Sequence, residues 1–167
     1  MPMDFRTLVR RDHVDLQAEL TQLLDPIATT SQLRASLDGV RLGLTAHAEA
    51  EDIVLSRFET ITALEVLLAQ ARAAHLAQEG ALSALVTARP RTAAWRDRAH
   101  HLRELVQFHA DQAERYLLPA LRQHVPRDTY DGLAGAFATE RLRQLAMLQP
   151  SAPLNIPDLG LAEAQAS

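Results

Sequence analysis

Four stretches of this chain place apolar residues at steps of three and four, and each interrupts that stripe near its middle with a histidine. In residues 4–24 the stripe is Phe5, Val9, Leu16, Leu20 and Leu23, with His13 in the gap after Val9. Residues 31–58 carry Leu33, Leu37, Val40, Leu44, Val54 and Phe58, and the two seats between Leu44 and Val54 hold His47 and Glu51. Residues 61–88 carry Leu64, Leu68, Ala71, Leu82 and Val86 around His75 and Glu79. Residues 91–119 run Trp95, Leu102, Leu105 and Val106, then His109, then Tyr116 and Leu117. Such spacing marks one face of a helix. The chain therefore reads as four long amphipathic helices whose buried faces turn polar at mid-length.

Asp25-Pro26 and Arg89-Pro90 break the pattern, Thr29, Thr30 and Ser31 offer a cap for the second helix, and Pro126-Arg127-Asp128 resembles a helix start. A weaker fifth stripe follows over residues 131–147, with Leu133, Phe137 and Leu145. Short connections between long helices favour an all-α fold, an antiparallel up-down-up-down four-helix bundle with a short fifth C-terminal helix. Residues 1–148 form that domain. Residues 149–167 hold three of the eight prolines and no periodicity, and read as a tail.

Composition narrows the function. Aromatic residues are 4% and glycines number 6, against a strand-rich sandwich or barrel. With 0 Cys there are no disulfides, thiolate metal sites, iron–sulfur clusters or cysteine nucleophiles. A net charge of −4, with a basic set made only of Arg and forming no patch, gives no attraction to nucleic acid or anionic membranes. No apolar run reaches the roughly 18 residues of a membrane span, and the first residues lack a signal peptide's apolar stretch, so a cytoplasmic location is expected. The bundle consumes the apolar stripes and leaves no second face that demands a dimer.

The polar seats carry the chemistry. His13, His47, His75 and His109 sit one per helix, with Glu51 and Glu79 four residues after their histidines and Glu114 five after His109. Residues four apart lie about 40° apart around a helix and about 6 Å along it, so both can address one point in the bundle interior. Burying seven such groups without partners costs several kcal/mol apiece. A pair of bound cations neutralises the carboxylates and satisfies the imidazoles together. Imidazole and carboxylate donors without thiolate suit iron or manganese, and also zinc.

On these residues the chain resembles the hemerythrin family, including the hemerythrin-like or HHE cation-binding domains. The matching segments are His13 in RRDHVDL, His47 and Glu51 in HAEAE, His75 in HLAQE, and His109 with Glu114 in FHADQAERYLLP. The resemblance implies two iron ions, oxo- or hydroxo-bridged, ahead of manganese or zinc, with an open position for dioxygen, peroxide or nitric oxide. It implies that Glu51 and Glu114 bridge the ions, that His13 and His47 hold one, and that His75, His109 and residue 79 hold the other.

Two positions depart from the oxygen-carrying members. Glu79 stands where those have histidine; an added carboxylate favours ferric iron and turns the expectation from reversible carriage toward oxidation, peroxide reactions or sensing. On the fourth helix the seat four after His109 is Ala113. Glu114 would lie about 140° from His109 in a regular helix, and a π-bulge near Gln112 would reduce that to about 50°. Three function classes stay open: a small-ligand binding protein, a di-iron oxidase, peroxidase or catalase-like enzyme, and an iron storage or handling protein. Among the remaining residues, His100, His101 and His124 read as peripheral, Glu49 and Asp52 as solvated, and Tyr116 as core. Leu44, Phe58, Leu82 and Leu105 read as apolar walls of the site.

Overall fold

The computed structural model describes residues 3–149, which form helices and no strand. Four long helices come first: α1 (Phe5–Gln22), α2 (Thr30–Leu55), α3 (Thr62–Val86) and α4 (Ala93–Gln112). A 3₁₀ turn (Ser56–Phe58) closes α2, and a π-turn (Ala113–Leu117) follows α4. Two short helices, α5 (Leu118–His124) and α6 (Arg127–Asp131), lead into α7 (Leu133–Leu148). The tail expected at 149–167 lies, apart from Gln149, outside the described residues.

Local chemistry sets the boundaries. Thr29 caps α2 through a full capping box: its hydroxyl accepts from the Gln32 backbone N–H, and the Gln32 side chain accepts from the Thr29 backbone. Thr92 caps α4 by accepting from the Trp95 N–H. The Trp95 indole, 1% exposed, donates to the Leu23 carbonyl at 2.9 Å and ties the start of α4 to the end of α1. Pro119 has no N–H to offer the carbonyl of Arg115, and the chain widens into the π-turn just before it.

Helix neighbours run in a ring, α1 to α2 to α3 to α4 and back to α1, and α7 lies across α1 and α2. Gly43 permits the α1–α2 approach, since a Cβ there would stand 3.3 Å from a methyl of Leu16. Gly80 faces open space.

The apolar core is two clusters rather than one. The first gathers Phe5, Val9, Val54, Phe58, Leu64, Leu68, Leu117, Leu121, Leu133 and Phe137. The second gathers Leu16, Leu20, Leu33, Leu37, Leu44, Leu82, Trp95, Leu102 and Val106. Along every long helix the histidine lies between the two, so a polar layer divides the core at mid-bundle. The π-turn also corrects the reading of Tyr116, which is 46% exposed. The extra residue in that turn rotates position 116 off the buried stripe.

Candidate metal centre

His13, His47, His75 and His109 are all buried, at 2%, 1%, 5% and 3% exposure. They converge in two pairs. The Nε2 atoms of His13 and His47 lie 3.2 Å apart, and those of His75 and His109 lie 3.1 Å apart. Glu51, 2% exposed, reaches between the pairs. Its Oε2 is 3.3 Å from His47 Nε2, while its Oε1 is 3.7 Å from His109 Nε2 and 4.0 Å from His75 Nε2. Ligand atoms of His13, His47, Glu51 and His109 all lie within 4.8 Å of one another.

Two further carboxylates orient the rings. Asp12 Oδ2 accepts from His47 Nδ1 at 2.9 Å and from Arg141 Nε of α7 at 2.8 Å. Asp52 Oδ1 accepts from His75 Nδ1 at 2.9 Å. With Nδ1 donating outward, each Nε2 points its lone pair or its proton at the centre. A carboxylate behind a histidine is the usual support of a metal-binding imidazole. The Phe137 ring packs edge-on at 5.7 Å from the His47 ring and closes the α1–α2 side.

Electrostatics follows from this layout. Burial pulls the His47 imidazolium down, but Asp12 and Glu51 outweigh it and hold the ring up at about 9. Burial, with the His47 charge beside it, drives His13 down to about 3. Of this pair, His47 rather than His13 is thus the ring that carries the positive charge near neutral pH. Burial pushes Glu51 up, yet the surrounding histidines hold its carboxyl well below the usual range.

Among the described residues neither Glu51 oxygen, both buried, accepts a well-formed hydrogen bond. Buried carboxylates are normally hydrogen-bonded, so this one could accept a cation. The donor set fits: at metal–nitrogen distances of about 2.0–2.1 Å, two nitrogens 3.1–3.2 Å apart subtend roughly 100° at a shared ion. Each pair can hold one ion, with one Glu51 oxygen turned toward each.

Two expected ligands stand elsewhere. Glu79 is exposed, and the buried seat belongs to Gln78 at 1% exposure. The reason is the period. The seam of α3 runs Leu64, Leu68, Ala71, His75, Gln78, Leu82 and Leu85, alternating steps of four and three. That 3.5-residue repeat follows His75 with 78 rather than 79. Glu114 is half-buried on the π-turn, where the sequence placed an irregularity, but its Oε2 faces Arg10 Nε at 3.5 Å rather than the histidines.

The same layer holds residues the sequence reading passed over. Asp12 was not singled out, although it sits in the heptad seat between Val9 and Leu16. Asp52 was read as solvated, yet its side chain is 31% exposed and bound to His75. An acid immediately before His13 and another immediately after Glu51 were the available signals. His100, His101, His124 and Glu49 are exposed, as expected, and Leu44, Phe58 and Leu82 are buried walls, with Leu105 half-buried. No helix among the described residues is long and apolar enough to cross a membrane. No family model, curated protein or solved structure matches the chain.

Proposed function

We propose that the chain is a hemerythrin-like protein whose mid-bundle layer holds two metal ions, iron ahead of manganese or zinc, and binds or reacts with dioxygen, peroxide or nitric oxide. The observation that carries this reading is Glu51, a buried carboxylate without a hydrogen bond, turned at once toward both histidine pairs. Iron held there would supply an open coordination position and the electrons that small oxygen species exchange. His13 and His47 with Glu51 Oε2 would hold one ion, and His75 and His109 with Glu51 Oε1 the other. The antiparallel up-down-up-down course of α1 to α4 belongs to the proposal, supported by their short connections and ring of neighbours.

The chain's own groups set the terms. Asp12 and Asp52 fix the His47 and His75 rings and supply negative charge behind them. Glu51, Asp12 and Asp52 place three carboxylates within or just behind the layer, and Arg141 neutralises Asp12. Part of the charge expected from Glu79 and Glu114 is thus met by residues at other seats. A second bridge from Glu114 requires that side chain to leave Arg10. The apolar clusters flank the layer on both sides.

The turn toward oxidation chemistry drawn from Glu79 lapses with that residue's exposure. An oxidase- or peroxidase-type enzyme remains as the second reading on a different observation, the apolar cavity beside His109. Exposing reduced, iron-loaded protein to dioxygen tests the proposal. Consumption of dioxygen or a reversible optical change, both lost in Glu51→Gln, is the expected result. No response from protein that holds its iron would overturn the oxygen chemistry.

A further inference from the structure

The α3–α4 side of the bundle holds a cavity of about 380 Å³, within the range of small-molecule sites. Its floor includes His109, one of the four clustered imidazoles, and Ala113 of the π-turn. Small residues of α3 make the space, with Ala71, Ala74 and Ala77 on its lining. Among the described residues no Asp, Glu or Arg lines it, and only Gln70, Gln112 and His109 offer polar side-chain atoms. Phe108, 62% exposed, stands on the lining.

The chain itself shows what chemistry settles beside an imidazole of this layer. On the α1–α2 side, α7 delivers the Phe137 ring, 0% exposed and edge-on to His47 at 5.7 Å. Among the described residues no helix delivers an equivalent ring to His109. Apolar lining, absence of charge and this internal precedent agree on one class of occupant.

We propose that the α3–α4 cavity binds a small, uncharged, aromatic-sized organic molecule against the edge of His109. A diatomic gas does not need this volume. The site's role as a substrate position rests on the metal reading above, whereas binding itself does not.

Isothermal titration with indole, on both metal-free and metal-loaded protein, tests it. One saturable indole site per chain is expected in each form, with indole-3-carboxylate binding at least tenfold more weakly because the cavity offers no counter-charge. Ala74→Phe, which fills a half-buried position, should weaken indole at least tenfold while helix content and metal stoichiometry stay at wild-type values. Ala77→Leu serves if that variant misfolds, and methyl NMR of Ala71, Ala74 and Ala113 locates the ligand without any substitution. No saturable indole binding, equal binding of the charged analogue, or unchanged affinity in the filled variants would overturn the proposal. Failure of the wild-type protein to take up metal would overturn the metal reading and leave the cavity result standing.

Discussion

Replacing Glu51 by Gln keeps the shape of the side chain and removes the charge that both histidine pairs face. In metal-free protein the change is destabilising by roughly 3–5 kcal/mol, because the histidines that hold the carboxyl well below its usual range lose a buried partner, although His47 keeps Asp12 as its counter-ion. With metal the loss is larger. An ion at one hundred times its Kd stabilises the folded state by about 2.7 kcal/mol per site. At roughly 2–4 °C per kcal/mol for a chain of this size, one site raises Tm by about 5–11 °C. Wild-type protein should show at least that shift on adding ferrous iron under anaerobic conditions, and Glu51→Gln should lose most of it. Differential scanning calorimetry with and without iron reads both quantities. If Glu51→Gln keeps the full metal-induced shift, the bridging role is wrong. If it is equally destabilised with and without metal, Glu51 is a structural ion-pair residue and no more.

Asp12→Asn should weaken metal binding by about 10–100-fold, measured by competition with a chelator, because it loosens the His47 ring without removing a ligand. Glu79→Ala should leave metal stoichiometry unchanged, since that side chain is exposed, and Glu114→Gln should weaken loading far less than Glu51→Gln because Glu114 faces Arg10. Metal-free protein should be most stable near pH 6.5. His13, lowered to about 3, costs stability as pH falls from its ordinary 6.5 toward that value, at up to about 1.4 kcal/mol per pH unit. His47, raised to about 9, contributes stability that is lost as pH rises from 6.5 through that value. Urea denaturation across pH 4–10 checks both limbs, and a flat profile would refute the opposed shifts of the two rings. Metal binding near pH 7.5 should release about one proton per chain from His47, seen with an indicator dye in weak buffer.

The helices and the histidine layer were legible because both rest on periodicity. Four stripes, each interrupted by a histidine, fix which residues face inward, and the four histidines and Glu51 are buried together as that pattern required. Glu79 was misplaced because a tally of threes and fours cannot choose between +3 and +4. The strict heptad of α3 makes that choice, and it selects Gln78. Glu114 depended on a π-turn, which its spacing of five from His109 made legible. Its partner Arg10 lies on another helix and was not legible. Asp12, Asp52 and Arg141 escaped for the same reason. Their roles arise where α1 meets α2 and α7, and α2 meets α3, contacts that spacing within a single helix cannot reveal. The fifth helix was legible in extent, 131–147 against the observed Leu133–Leu148, but its docking was not: α7 brings Phe137 against the His47 ring.

The central claim is a centre built for two ions, one per histidine pair, with Glu51 between them. Anaerobic titration of metal-free protein with ferrous iron, following bound iron per chain, tests it most directly. Saturation at two irons per chain, falling in His47→Ala and in His109→Ala, is predicted. Saturation at one iron, or none, would contradict it.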